Sequence, residues 1–158
     1  MLAAIRPDSW NFPLLLHVVG ASILLGALVT AVTAQLLAWK GRALADVLPY
    51  ARLSFRTLLF VAIPAWILTW LGGEWIASRE GWSDLDEQPA WLGIGYMTVF
   101  VGGLLLLISV ILAGIAARRL SRSNGEQGAM LVRIATVLAV LLVIAYVIAT
   151  WAMSAKPD

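Results

Sequence analysis

Four apolar runs, each long enough to cross a bilayer, constrain this chain more than any other feature. They extend from about Pro13 to Trp39, Thr57 to Ile76 (with helix expected to reach back to Tyr50), Trp91 to Ala117 and Ile134 to Met153. A spanning helix needs about 20 predominantly apolar residues. Hydrocarbon offers no water to backbone N–H and C=O groups, so such runs pair them internally as helix. The expected fold is therefore all-α, one integral membrane domain over residues 1–158 built as a four-helix bundle. Composition agrees: 61% of the 158 residues are hydrophobic and 13% charged, against about half and a quarter in soluble domains.

Charge orients the bundle. Lys40, Arg42, Arg52 and Arg56 follow the first run, and Arg118, Arg119, Arg122 and Arg133 follow the third. The opposite side carries only Arg6, Arg79 and Lys156. Cytoplasmic loops retain Lys and Arg, so both termini and the segment around Gly81 are expected to be extracytoplasmic, as in a multi-pass protein of a bacterial inner membrane. Trp10, Trp70, Trp75, Trp82, Trp91 and Trp151 gather at that outer boundary, where an indole can bury its ring and keep its N–H wet. Val32-Thr33-Ala34 has the form of a signal-peptide cleavage site. The first run is too long for a signal core, however, and its stronger positive charge follows it, so it is read as a retained helix.

Several chemistries are excluded or unsupported. Without cysteine there is no disulfide, thiolate nucleophile or Cys-ligated metal or iron–sulfur site. The net charge of +2 comes from residues retained at membrane ends and lacks the interleaved aromatics of a nucleic-acid surface. No phosphate-binding loop, GxSxG or HExxH pattern occurs.

In lipid, helices associate through small residues that let backbones approach. Ser22, Gly26, Thr30 and Ala34 recur at four-residue spacing on the first helix. Gly95 and Gly103 mark the third, and Ala135 and Ala139 the fourth. These are read as bundle-packing positions, with a dimer interface as the alternative use. Pro64 is expected to kink the second helix and free a carbonyl near residue 60.

His17, the sole histidine, lies about two helical turns inside the Trp10 boundary, and Thr69, Tyr96 and Tyr146 fall at similar depth on the other helices. An ionisable group inside a membrane is costly unless paired. One reading has His17 bond to Tyr96, Tyr146 or a carbonyl and lock the bundle. The other makes it a haem or copper ligand, completed by Met97 or Met153, or by His17 of a second copy. The acidic stretch Ser83-Asp84-Leu85-Asp86-Glu87 lacks the EF-hand ligand pattern and reads as a helix cap.

The segment Leu16-His17-Val18-Val19-Gly20-Ala21, followed by Leu25-Gly26, resembles the opening of small bacterial four-helix membrane proteins. These form an uncharacterised, DUF2269-like family, with copper-resistance D-like and protoporphyrinogen-oxidase J-like membrane proteins as more distant likenesses. The end of the chain, from Trp151 to Pro157, is also similar to the first of these. The resemblance implies a four-helix membrane fold, and the haem- or copper-handling relatives imply a role for His17. The expected function is that of a non-enzymatic subunit or scaffold without a cofactor, packing in the bilayer with itself or within a larger membrane complex. A redox protein using haem or copper and a small transporter or channel are the alternatives.

Overall fold

The computed structural model describes Ser9 and residues 11–41, 43–82, 89–122 and 126–156. Four helices account for nearly all of them: α1 (Asn11–Lys40), α2 (Leu44–Glu80), α3 (Ala90–Arg122) and α4 (Glu126–Ala155). Each contains a stretch long and apolar enough to cross a membrane, and no strand occurs among the described residues. The acidic stretch from Ser83 to Glu87 lies outside the described residues, as does Asn124-Gly125, a pair whose sequence favours a turn.

The helices outrun the apolar segments because the hydropathy marks only the part that hydrocarbon can hold. α2 begins at Leu44, where the Ala43 carbonyl accepts from the N–H groups of Asp46 and Val47. Pro49, which suits a first helical position, instead lies inside the helix. The added turns are amphipathic: Arg52 and Arg56 are exposed while Ala51 and Ser54 are buried. Gly81 ends α2 with φ 73°, a left-handed cap, and its N–H bonds to the Ala77 carbonyl.

Pro64 has a different consequence from a simple kink. The turn before it, Leu58–Ala62, is π-helical, and the Ile63 N–H reaches back five residues to the Leu58 carbonyl. A proline clashes with the carbonyl four residues earlier and offers it no N–H. Widening one turn relieves both problems and keeps α2 continuous.

The four helices form a ring in chain order. α1 packs along α2 and also against α4, α3 packs most extensively on α4, and α2 meets α3 mainly over its first half. α1 and α3 thus sit diagonally, as do α2 and α4. One end of the bundle carries Asn11, Gly81 and Lys156 (the terminal end), and the other carries Lys40, Arg118, Arg119 and Arg122 (the basic end). Two apolar clusters fill the interior. The larger takes Leu24, Leu28 and Ala31 from α1, Leu58 and Ala62 from α2, Leu106, Val110 and Ala113 from α3, and Leu142 and Tyr146 from α4. The smaller, nearer the basic end, joins Ala38, Ala51, Ala116, Ala117, Leu120 and Val132.

Candidate functional site

His17 anchors a polar junction between α1 and α2. Its Nδ1 lies 2.8 Å from the Thr69 carbonyl oxygen. A carbonyl only accepts, so Nδ1 carries the hydrogen and donates it. In the neutral ring this tautomer leaves the lone pair on Nε2. The Thr69 hydroxyl turns the other way, onto the Ala65 carbonyl at 2.8 Å. This is the carbonyl form of the bundle-locking bond considered from sequence.

Glycine makes the junction possible. A Cβ on Gly72 would stand 2.5 Å from the His17 backbone nitrogen and 2.9 Å from the Pro13 carbonyl oxygen. On Gly73 it would meet the His17 ring, with Nδ1 at 2.9 Å. On Gly20 it would meet Thr69, with the backbone nitrogen at 2.7 Å. His17 and Gly20, three residues apart, share a helix face that docks on Ala65, Thr69, Gly72 and Gly73. Sequence reading singled out neither Gly20 nor the Gly72-Gly73 pair as packing positions. The available signal was their spacing: Gly20 falls three residues after the lone intramembrane histidine, and Gly72 three after Thr69.

Of the stripe selected on α1, Ala34 is buried, but the other three residues lie on a different face. Ser22, Gly26 and Thr30 are exposed, and a Cβ on Gly26 would meet nothing within 4 Å. The Ser22 and Thr30 hydroxyls bond to the carbonyls of Val18 and Gly26 on their own helix. These three residues do not pack between helices of this chain. Periodicity found small residues at helical spacing, but only the register against α2 selects the face that Pro13, His17 and Gly20 share. Gly95, Gly103, Ala135 and Ala139 are buried in the bundle. Gly95 receives the Met153 methyl group, and Gly103 lies under the Trp66 indole.

The level proposed for His17, Tyr96 and Tyr146 does not form one cluster. Tyr96 is on α3, diagonal to α1, and its ring stacks on Phe100 at 6.3 Å. Tyr146 is buried in the larger apolar cluster with its hydroxyl against Gly102 and without a hydrogen-bond partner. Met97 is 65% exposed, so its thioether faces out of the bundle.

Between α2 and α3 the terminal half is filled by rings. The Trp66 indole N–H donates to the Val99 carbonyl at 3.0 Å, Trp66 stacks on Trp70 at 5.9 Å, and Trp70 meets Phe100 edge-on at 6.2 Å. Trp70 is thus a packing residue between helices, not a boundary anchor, and its indole nitrogen is buried without a partner. Trp75, Trp82 and Trp91 do sit at the helix ends: Arg79 lies over Trp75 and Lys156 over Trp91, while the Trp82 N–H donates to Glu80. At the basic end Arg133 lies over Trp39. Each places a cation on a ring face, an attraction worth about 0.5–1 kcal/mol when exposed.

The donor set does not fit a haem or copper held by one copy of the chain. His17 is the sole histidine, Met97 faces outward and Met153 is seated on Gly95. Among the described residues, no three His, Asp or Glu side chains group closely enough to bind a metal. No family model, curated protein or solved structure matches this chain.

Proposed function

We propose that this is a non-enzymatic membrane protein, a small subunit or scaffold whose four helices form a rigid unit that associates with itself or with other membrane proteins. The observation that carries this reading is the use made of His17. The one histidine, which would be the first candidate for chemistry, spends its donor on the Thr69 carbonyl and its ring surface on Gly73. That is how polar side chains join helices in lipid. Tyr146, Gly95 and Gly103 likewise serve contacts between helices. The distribution of Lys and Arg supports an orientation with both termini extracytoplasmic and the basic end in the cytoplasm, in the inner membrane of a bacterium.

The test is the optical spectrum and metal content of the purified protein, beside His17→Ala. A colourless, metal-free preparation that keeps its size in His17→Ala membranes is the expected result. A Soret band or stoichiometric copper that disappears in His17→Ala overturns the proposal in favour of a redox protein pairing His17 across two copies. A transporter would require a polar path joining both faces, and ion or solute flux in proteoliposomes would overturn the scaffold reading in that direction.

A further inference from the structure

The half of the bundle nearer the basic end, which hydropathy reads as plain, holds the most poorly paired buried side chain among the described residues. Gln35 is 2% exposed, and neither its amide nitrogen nor its amide oxygen has a hydrogen-bond partner in the protein. Ser54 is completely buried, and its hydroxyl is also unpartnered. This sets Ser54 apart. Thr69, Ser109 and Thr136 are as deeply buried, and each turns its hydroxyl back onto the carbonyl four residues earlier. That bond is the standard refuge for a hydroxyl in an apolar helix, and Ser54 does not take it.

The two residues occupy the same level on neighbouring helices. On α1, Ala31 belongs to the larger apolar cluster and Ala38 to the smaller, and Gln35 lies between them. On α2, Ala51 belongs to the smaller cluster and Leu58 to the larger, and Ser54 lies between those. On α4 the same interval, from Val132 to Leu142, contains the buried Thr136. The clusters are therefore separated by a buried polar waist toward the basic end of the bundle, with Ala31, Ala38 and Ala51 beside it. Leaving an amide and a hydroxyl unpaired in a buried apolar interior costs several kcal/mol. A water molecule can both donate and accept, and it joins polar groups too far apart for a direct bond.

We propose that Gln35 and Ser54 bind an occluded water molecule that bridges α1 and α2 inside the bundle. The amide supplies both a donor and an acceptor, and the hydroxyl supplies a second anchor from the facing helix. The ligand is neutral water, since no charged side chain is buried with Gln35 and Ser54 (Arg52 and Arg56 are exposed) and a bare ion would lack a counter-charge.

The experiment uses the full chain in lipid nanodiscs with glutamine side chains labelled with ¹⁵N. The chain has three glutamines, and Gln35→Met identifies the Gln35 signal by its loss. Expected is a magnetisation-transfer peak from the Gln35 amide protons to a slowly exchanging water, lost or strongly weakened in Ser54→Ala. Transfer to Ser54 protons with no water peak would mean a direct bond between the two side chains and would overturn the proposal. Transfer to neither overturns it as well. Thermal midpoints provide a second readout: Gln35→Met and Ser54→Ala should each lower the midpoint more than the double variant does, because a single change strands the other polar group. Strictly additive shifts would overturn the bridge.

Discussion

α2 faces two neighbours with its terminal half and meets them in opposite ways. Against α1 it presents Thr69, Gly72 and Gly73, and the backbones come so close that a methyl group on Gly72 would strike the His17 backbone. Against α3 it presents Trp66 and Trp70, and the backbones stand apart with indoles and Phe100 filling the seam. A polar bond to a carbonyl joins each seam, from His17 in the first and from Trp66 in the second. Bilayer solvent gives little hydrophobic incentive for either, so each relies on dispersion and on the shape of its contact. Glycine removes the gap in one seam and aromatic volume fills it in the other.

Substitutions separate the two solutions. The largest effect is expected for Gly72→Ala, where the obstacle is backbone and cannot rotate away. Overpacking of this kind costs about 1–3 kcal/mol or more, read as loss of the folded fraction in a detergent or lipid unfolding titration. A near-neutral Gly72→Ala would break the account of the α1–α2 seam. Gly73→Ala meets the His17 imidazole instead, so it should cost less and should eliminate the effect of a further His17→Ala change.

Trp66→Phe comes next. It keeps most of the ring volume in the α2–α3 seam but removes the donor to Val99, an exchange of about 1 kcal/mol. Trp66→Ala should exceed it severalfold by emptying the seam over Gly103. His17→Ala is expected to lie near Trp66→Phe, since interhelical polar bonds in membranes average about 0.6 kcal/mol and reach about 2. A His17→Ala loss far above that range would show that the histidine does more than join helices. Smallest of all, Gly26→Ala and Met97→Leu should change bundle stability by less than about 0.5 kcal/mol, because both positions face away from the interior. If Gly26→Ala leaves stability intact but abolishes a crosslinked or co-purified assembly, its exposed stripe serves a partner.

Much of the architecture was legible because its cause is local. Apolar stretches of span length with almost no charge and the lack of any way to leave a backbone unpaired in lipid require four helices, whatever their arrangement. Charge asymmetry between loops, from Lys40 and Arg118 to Lys156, needs no knowledge of packing either. The sites were less legible because each depends on which face of a helix turns inward. Every face of α1 is apolar, so its periodicity favoured Ser22-Gly26-Thr30 as readily as His17-Gly20, and the first choice proved to be the exposed face. His17, Tyr96 and Tyr146 share a depth, but depth does not reveal that α1 and α3 sit diagonally. Trp70 resembled a boundary residue until Trp66, a turn deeper, showed both indoles filling a seam.

The sequence by itself determined a membrane-spanning chain of four helices, the absence of thiol chemistry and a basic end opposed to a terminal one, since these follow from composition along one dimension. Only the tertiary structure decided that His17 bonds to Thr69, that Gly20 and Gly72 close one seam while Trp66 fills another, and that Gln35 and Ser54 share a buried waist. Those relations link residues as far as 52 positions apart. They depend on the rotation of each helix about its own axis, which a uniformly apolar surface leaves open until neighbouring helices pack against it.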